Sequence, residues 1–125
     1  MATPFLRFSI PDDSTFKAQI KNKDGTSLGA EAPVVATGFF RTPNGSQHPW
    51  SDAQLRAGVE EELEAPDGSP RTYSGLVQLN FAQAFEVVLE MEVERADDSM
   101  HIYREEIDGK ANGVDRTVIA LAMAL

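Results

Sequence analysis

His101, Tyr103 and Glu105 recur at every second position, so a strand through Ser99–Ile107 presents all three on one face. A tight turn at Asp97-Asp98 would set Ala96 against Ser99, bringing His101 opposite Glu94 and Tyr103 opposite Glu92. A carboxylate facing an imidazole favours its charged form, and such a cluster can move protons as acid and base. The same register turns Arg104 and Glu106 toward the core. Shifting it by one residue sets His101 against Arg95 and turns Tyr103 and Ile107 inward, which dissolves the cluster. Register alone decides whether His101, Tyr103 and Glu94 form a catalytic group.

The other histidine, His48, lies in Asn44-Gly45-Ser46-Gln47-His48-Pro49-Trp50, which reads as a polar loop. A loop imidazole beside an exposed Trp50, with Arg41 nearby, would form the rim of a small-molecule or carbohydrate site, since loops on a rigid scaffold carry function. Loop 108–115 would form a second rim. The opposing reading is that Trp50 staples the start of a helix and His48 is solvated.

Asp108, Asn112 and Asp115 place three oxygen side chains in a loop with two glycines. Calcium takes its ligands from such loops. The spacing is not that of an EF-hand, and turn chemistry accounts for each residue without a metal. Asp12-Asp13 and Asp97-Asp98 could contribute only if the fold gathered those turns at the same end. The expectation is no cofactor, with calcium as the alternative.

Several chemistries are excluded by what is missing. The absence of cysteine removes thiolate nucleophiles, disulfides and Cys-type zinc sites. No phosphate-cradling glycine loop, His-Glu-x-x-His or Gly-x-Ser-x-Gly motif occurs. A net charge of −9 with scattered Lys and Arg argues against nucleic acid. Acidity suits solubility, or inhibition of a basic partner if Glu60–Glu64 and Glu86–Glu94 form one continuous patch.

These residues depend on the elements that carry them. Phe85–Arg95 reads F-E-V-V-L-E-M-E-V-E-R, with Phe85, Val87, Leu89, Met91 and Val93 on one parity and Glu86, Glu90, Glu92 and Glu94 on the other. That is a half-buried strand with a row of carboxylates toward water. Further strands are expected at Phe5–Ile10, Thr15–Lys21, Ala32–Arg41, Tyr73–Phe81, Ser99–Ile107 and Val114–Leu125. The first two of these would form a hairpin across Pro11–Ser14. The last alternates Ile119, Leu121, Met123 and Leu125 with Ala120, Ala122 and Ala124, so its alanine face admits close approach by another element of this domain or by another subunit.

Ser51 and Gln54 have capping-box spacing, and Trp50 and Leu55 have that of a hydrophobic staple. A short helix near 52–58 is expected. Leu55, Val59 and Leu63 recur every four residues and allow a full helix over 52–64, against which stand Gly58 and the glutamates that follow it.

Frequent turns between short alternating runs predict a mostly β fold: an antiparallel sandwich or partly open barrel of about seven or eight strands, residues 1–125 forming one domain. The alternative is α+β, with helix 52–64 on a sheet face. The N-terminus lacks a secretory pattern, and no apolar run is long enough to span a membrane. A cytoplasmic protein or a component of an assembled particle is expected. The functional expectation is a non-catalytic protein-interaction or self-assembly module, its partner a second copy or another protein.

Overall fold

The computed structural model describes residues 6–65, 67–109 and 115–118. Among them, the strands are β1 (Leu6–Ile10), β2 (Ser14–Asn22), β3 (Val34–Arg41), β4 (Gln47–Trp50), β5 (Val59–Leu63), β6 (Arg71–Phe81), β7 (Phe85–Arg95), β8 (Met100–Gly109) and β9 (Asp115–Val118). The helix α1 (Asp52–Ala57) lies between β4 and β5. The strands form two antiparallel sheets. One runs β1-β6-β3-β4, with β9 also on β6; the other runs β5-β2-β7-β8. On β6, Arg71–Gly75 pair with β1 and Val77–Asn80 with β9. The mostly β, two-sheet architecture is the one expected from the sequence.

Alternation produces the core directly. Phe8 and Ile10, Phe16, Ala18 and Ile20, and Val87, Leu89, Met91 and Val93 are all buried. The sheets meet through rings: Phe16 of the second sheet stacks on Phe8, Phe40 and Trp50 of the first at centroid distances of 5.6, 5.5 and 6.1 Å. Offset aromatic contacts at such distances add to the gain from burial itself.

The expected hairpin between β1 and β2 does not form. β1 pairs with β6, and β2 with β5 and β7, so the chain crosses from one sheet to the other. Both strands carry an apolar face, and the stacking of Phe8 on Phe16 shows why face-to-face placement buries both.

The full helix over 52–64 is also not formed. Ser51 Oγ accepts from Gln54 N–H at 3.2 Å and Gln54 Oε1 from Ser51 N–H at 2.8 Å, so the capping box is real. The helix stops at Gly58, whose φ of 104° suits glycine. Val59–Leu63 then alternates buried Val59 and Leu63 with exposed Glu60 and Glu62. A spacing of four residues is also a multiple of the strand period, which is why Val59 and Leu63 fit both patterns.

One turn type recurs four times, and twice it joins paired strands, β3 to β4 and β7 to β8. In Asp24-Gly25-Thr26, Asn44-Gly45-Ser46, Asp67-Gly68-Ser69 and Asp97-Asp98-Ser99, the first side chain accepts the N–H of the third residue at 3.0 Å. The middle residue has positive φ, between 68° and 90°. Asp98 takes the place that glycine holds in the others. Between β7 and β8, Asp98 N–H bonds Arg95 C=O and Arg95 N–H bonds Ser99 C=O. This is a three-residue loop, a type I turn followed by a left-handed residue.

Candidate functional site

The β7–β8 loop decides the fate of the first candidate. One residue longer than the two-residue turn, it sets His101 opposite Val93, Tyr103 opposite Met91, and Glu94 opposite Met100. His101 and Tyr103 therefore share the face of buried Val93 and Met91, while Glu94 lies on the other. The His101–Tyr103–Glu94 group is not assembled. The observed register differs from both sequence-derived ones but shares the inward Tyr103 and Ile107 of the second.

His48 and Trp50 are brought together, although not on a loop. Gln47–Trp50 forms edge strand β4, with His48 opposite Phe40 and Trp50 opposite Gly38. Trp50 is a core residue at 4% exposure, not an exposed rim. Its ring packs close to Gly38, where a Cβ would lie 3.3 Å from Trp50 Cε3. Arg41 has the opposite parity, and its guanidinium lies 5.5 Å from the Phe39 ring centre. It is not part of the His48–Trp50 group.

The residue that joins them is Glu61. It lies on β5 opposite Phe16, at core parity between Val59 and Leu63. Its Oε1 accepts from Trp50 Nε1 at 3.2 Å, and its Oε2 is 3.0 Å from His48 Nδ1. The carboxylate thus spans the gap between the edges of the two sheets and satisfies a buried indole N–H. An imidazole oriented by a carboxylate through one nitrogen is also how a general base is held. The His48 side chain is 47% exposed, and shallow grooves of about 480 and 400 Å³ flank it. The signal for Glu61 was an acidic residue at the inward position of Val-Glu-Glu-Glu-Leu. It becomes legible once that segment is read as a strand.

Sequence reading missed a second hub. Asp52 Oδ1 accepts the N–H of Ala36, and Arg56 donates to the carbonyls of Gly29, Ala32 and Val34 while bonding Asp52 Oδ2 at 2.8 Å. β4 covers β3 only at Gly38–Arg41. Beyond it, this helical pair supplies the acceptor and donor that a neighbouring strand would provide. The i,i+4 spacing of Asp52 and Arg56 was its only trace in the sequence.

The remaining candidates are dispersed. Asp108 lies opposite Glu86 in one sheet, and Asp115 opposite Asn80 in the other. Asn112 lies outside the described residues, as do Ala120, Ala122 and Ala124. The Asp12-Asp13 and Asp97-Asp98 turns do share an end, where Arg95 Nε lies 3.4 Å from Asp12 Oδ1. Asp108 is at the far end of β8. Among the described residues, no group of three or more metal-ligating side chains gathers.

The glutamate row of β7 faces lysines. Lys21 Nζ lies 2.7 Å from Glu90, and Lys23 Nζ lies 3.0 Å from Glu86. Lys17 stands opposite Glu60 on one side and Glu92 on the other. β2 thus inserts a basic row between the two acidic segments. The hydrogen bond to Glu86, helped by the charges of Glu106 and Asp108, raises the Lys23 pKa. Lys23 in turn lowers that of Glu86.

Among the described residues, fold and site define two antiparallel sheets, as in a sandwich or partly open barrel, with a polar bridge between β4 and β5 and a long edge strand, β8. No described helix is long and apolar enough to cross a membrane. No family model, no curated protein and no solved structure matches this chain.

Proposed function

We propose that the chain is a non-catalytic protein-interaction module whose contact element is the edge of β8. The observation that carries this reading is its length. β8 spans ten residues and pairs only with β7 among the described residues, whereas β1, β4, β5 and β9 have four or five residues each. Arg95 N–H bonds Ser99 C=O, so the odd-numbered residues of β8 turn their backbone groups toward β7. Those of Ile102, Arg104 and Glu106 point the other way. Ile102 and Met100 are 60% and 47% exposed on the outer face. A long edge with exposed apolar side chains is a template for another strand.

Amide hydrogen exchange tests it. In dilute solution the amides of Ile102, Arg104 and Glu106 should exchange fast while those of His101 and Tyr103 are protected. Protection of both sets in the monomer would mean the edge is already covered, and the reading fails.

A second reading, a small-molecule site, is supported by the half-exposed His48 held by Glu61 between two grooves. Trp50 is the sole tryptophan, and its indole bonds the same carboxylate, so its fluorescence reports on occupancy. A sugar and metabolite library that leaves that emission unchanged counts against the site.

A further inference from the structure

The charge layout of the outer face of β8 extends this reading to the kind of strand it accepts. Met100 and Ile102 form an apolar half and Glu106 and Asp108 an acidic half, with Arg104 between them; all five are exposed. At the acidic end Glu86 lies opposite Asp108. Among the described residues Lys23 stands there, bonded to Glu86 and within the field of Glu106 and Asp108, and Arg104 Nη2 donates to its carbonyl at 3.1 Å. The edge is therefore polar along its length as well as across its faces.

The geometry points to a segment of a basic partner protein that adds antiparallel to β8, with alternate cationic residues first and alternate apolar residues after them. Antiparallel addition sets residues directly opposite one another on the same face. Read from its N-terminus, the incoming strand meets Asp108, then Glu106, Arg104, Ile102 and Met100 at every second position. Lysine or arginine fits the first two, an acidic residue the third, and valine or isoleucine the last two. A second copy of this chain is the weaker occupant. Centring β8 on Arg104 of its own copy opposes Arg104 to Arg104, centring it on Glu105 opposes Glu105 to Glu105, and the net charge of −9 works against self-association.

The inference rests on an available β8 edge, and the experiment separates the two. The probe is a capped, fluorescein-labelled peptide, Lys-Thr-Lys-Thr-Glu-Thr-Val-Thr-Val, compared with the same residues in reverse order. Anisotropy with the full chain should show the forward peptide binding about tenfold tighter or more than the reverse one, weakening as salt rises. Its binding should protect the amides of Ile102, Arg104 and Glu106. Ile102→Pro removes an outward N–H without touching the β7 ladder and should abolish binding. Combined Glu106→Lys and Asp108→Lys should reverse the preference between the two peptides.

Equal binding of both peptides, or binding that survives Ile102→Pro, overturns the inference. So does sedimentation as a dimer with β8 amides protected, which would make a second copy the occupant. If those amides exchange freely and neither peptide binds, the assigned sequence pattern is wrong while the edge reading stands. Protection of the amides in the dilute monomer sinks both.

Discussion

The Trp50 indole donates to Glu61 Oε1 at 3.2 Å, from the edge strand of one sheet to that of the other. Burying a tryptophan gives a large apolar gain, but its N–H must keep an acceptor. Glu61 supplies it from an inward position, where a carboxylate would otherwise be costly. Its second oxygen is turned to His48, where solvent reaches.

Glu61→Ala leaves that indole N–H without its acceptor and releases His48. The expected loss is about 1–3 kcal/mol of stability, read from urea unfolding followed by Trp50 fluorescence. Glu61→Gln keeps an oxygen for the indole and should lose less. Equal stability of all three proteins would mean water replaces the carboxylate.

Arg56 ties the 29–34 segment and β3 to the helix. Arg56→Ala should cost about 1.5–3 kcal/mol, because charge-assisted bonds to several carbonyls disappear together. Asp52→Ala should speed exchange of the Ala36 amide, while the amide of Phe40, which β4 pairs, stays protected.

Asp98 occupies a left-handed conformation with φ of 68°. Asp98→Gly should be neutral or stabilising, as glycine takes this place in the three sister turns. Asp98→Val should cost about 1–3 kcal/mol, since a β-branched residue strongly resists positive φ. Thermal melts of the pair provide the comparison. Equal melting temperatures would refute the account of the β7–β8 loop.

Gly38 has no space for a side chain. A Cβ there would sit 2.2 Å from the Leu76 carbonyl oxygen, a backbone atom that cannot swing aside. Gly38→Ala should lose about 1–3 kcal/mol through displaced backbone and a disturbed Trp50, seen as a lower urea midpoint with altered tryptophan emission.

The turn carboxylates link stability to pH. The Thr26 hydroxyl lowers the Asp24 pKa, the Arg71 guanidinium that of Asp67, and the Ser99 hydroxyl that of Asp97, each aided by a backbone N–H. A folded-state pKa below the unfolded one stabilises fully above the ordinary aspartate range, near about pH 4, and that gain fades as pH falls through the lowered values. Urea midpoints should therefore fall on acidification through this range. Asp97→Asn keeps an acceptor, as Asn44 shows, and should flatten part of the decline. An unchanged slope would remove Asp97 from the set.

Much of the fold was legible because alternation is local. Phe16, Ala18, Ile20 and the odd-numbered apolar residues of β7 point inward as their parity requires. The capping box was legible for the same reason, since it joins residues three apart. Val59 and Leu63 were ambiguous because their spacing satisfies a helix and a strand alike. The candidate site was less legible: its joining residue, Glu61, looked like one of a run of surface glutamates.

By itself the sequence determined most of the strands with one apolar face, though not β4, which read as a loop, or β5, which fitted helix and strand alike; it also placed the turns and the start of helix α1 after Ser51. These follow from side-chain period and backbone chemistry within a few residues. Only the tertiary structure decided that β1 and β2 face each other across the core, that Glu61 meets Trp50 and His48, and that β8 ends its sheet among the described residues. Each of these is a contact between residues far apart in the chain, selected by which apolar faces can be buried together. The His101 cluster depended on one residue of loop length, and Asp98 in a left-handed turn decided it.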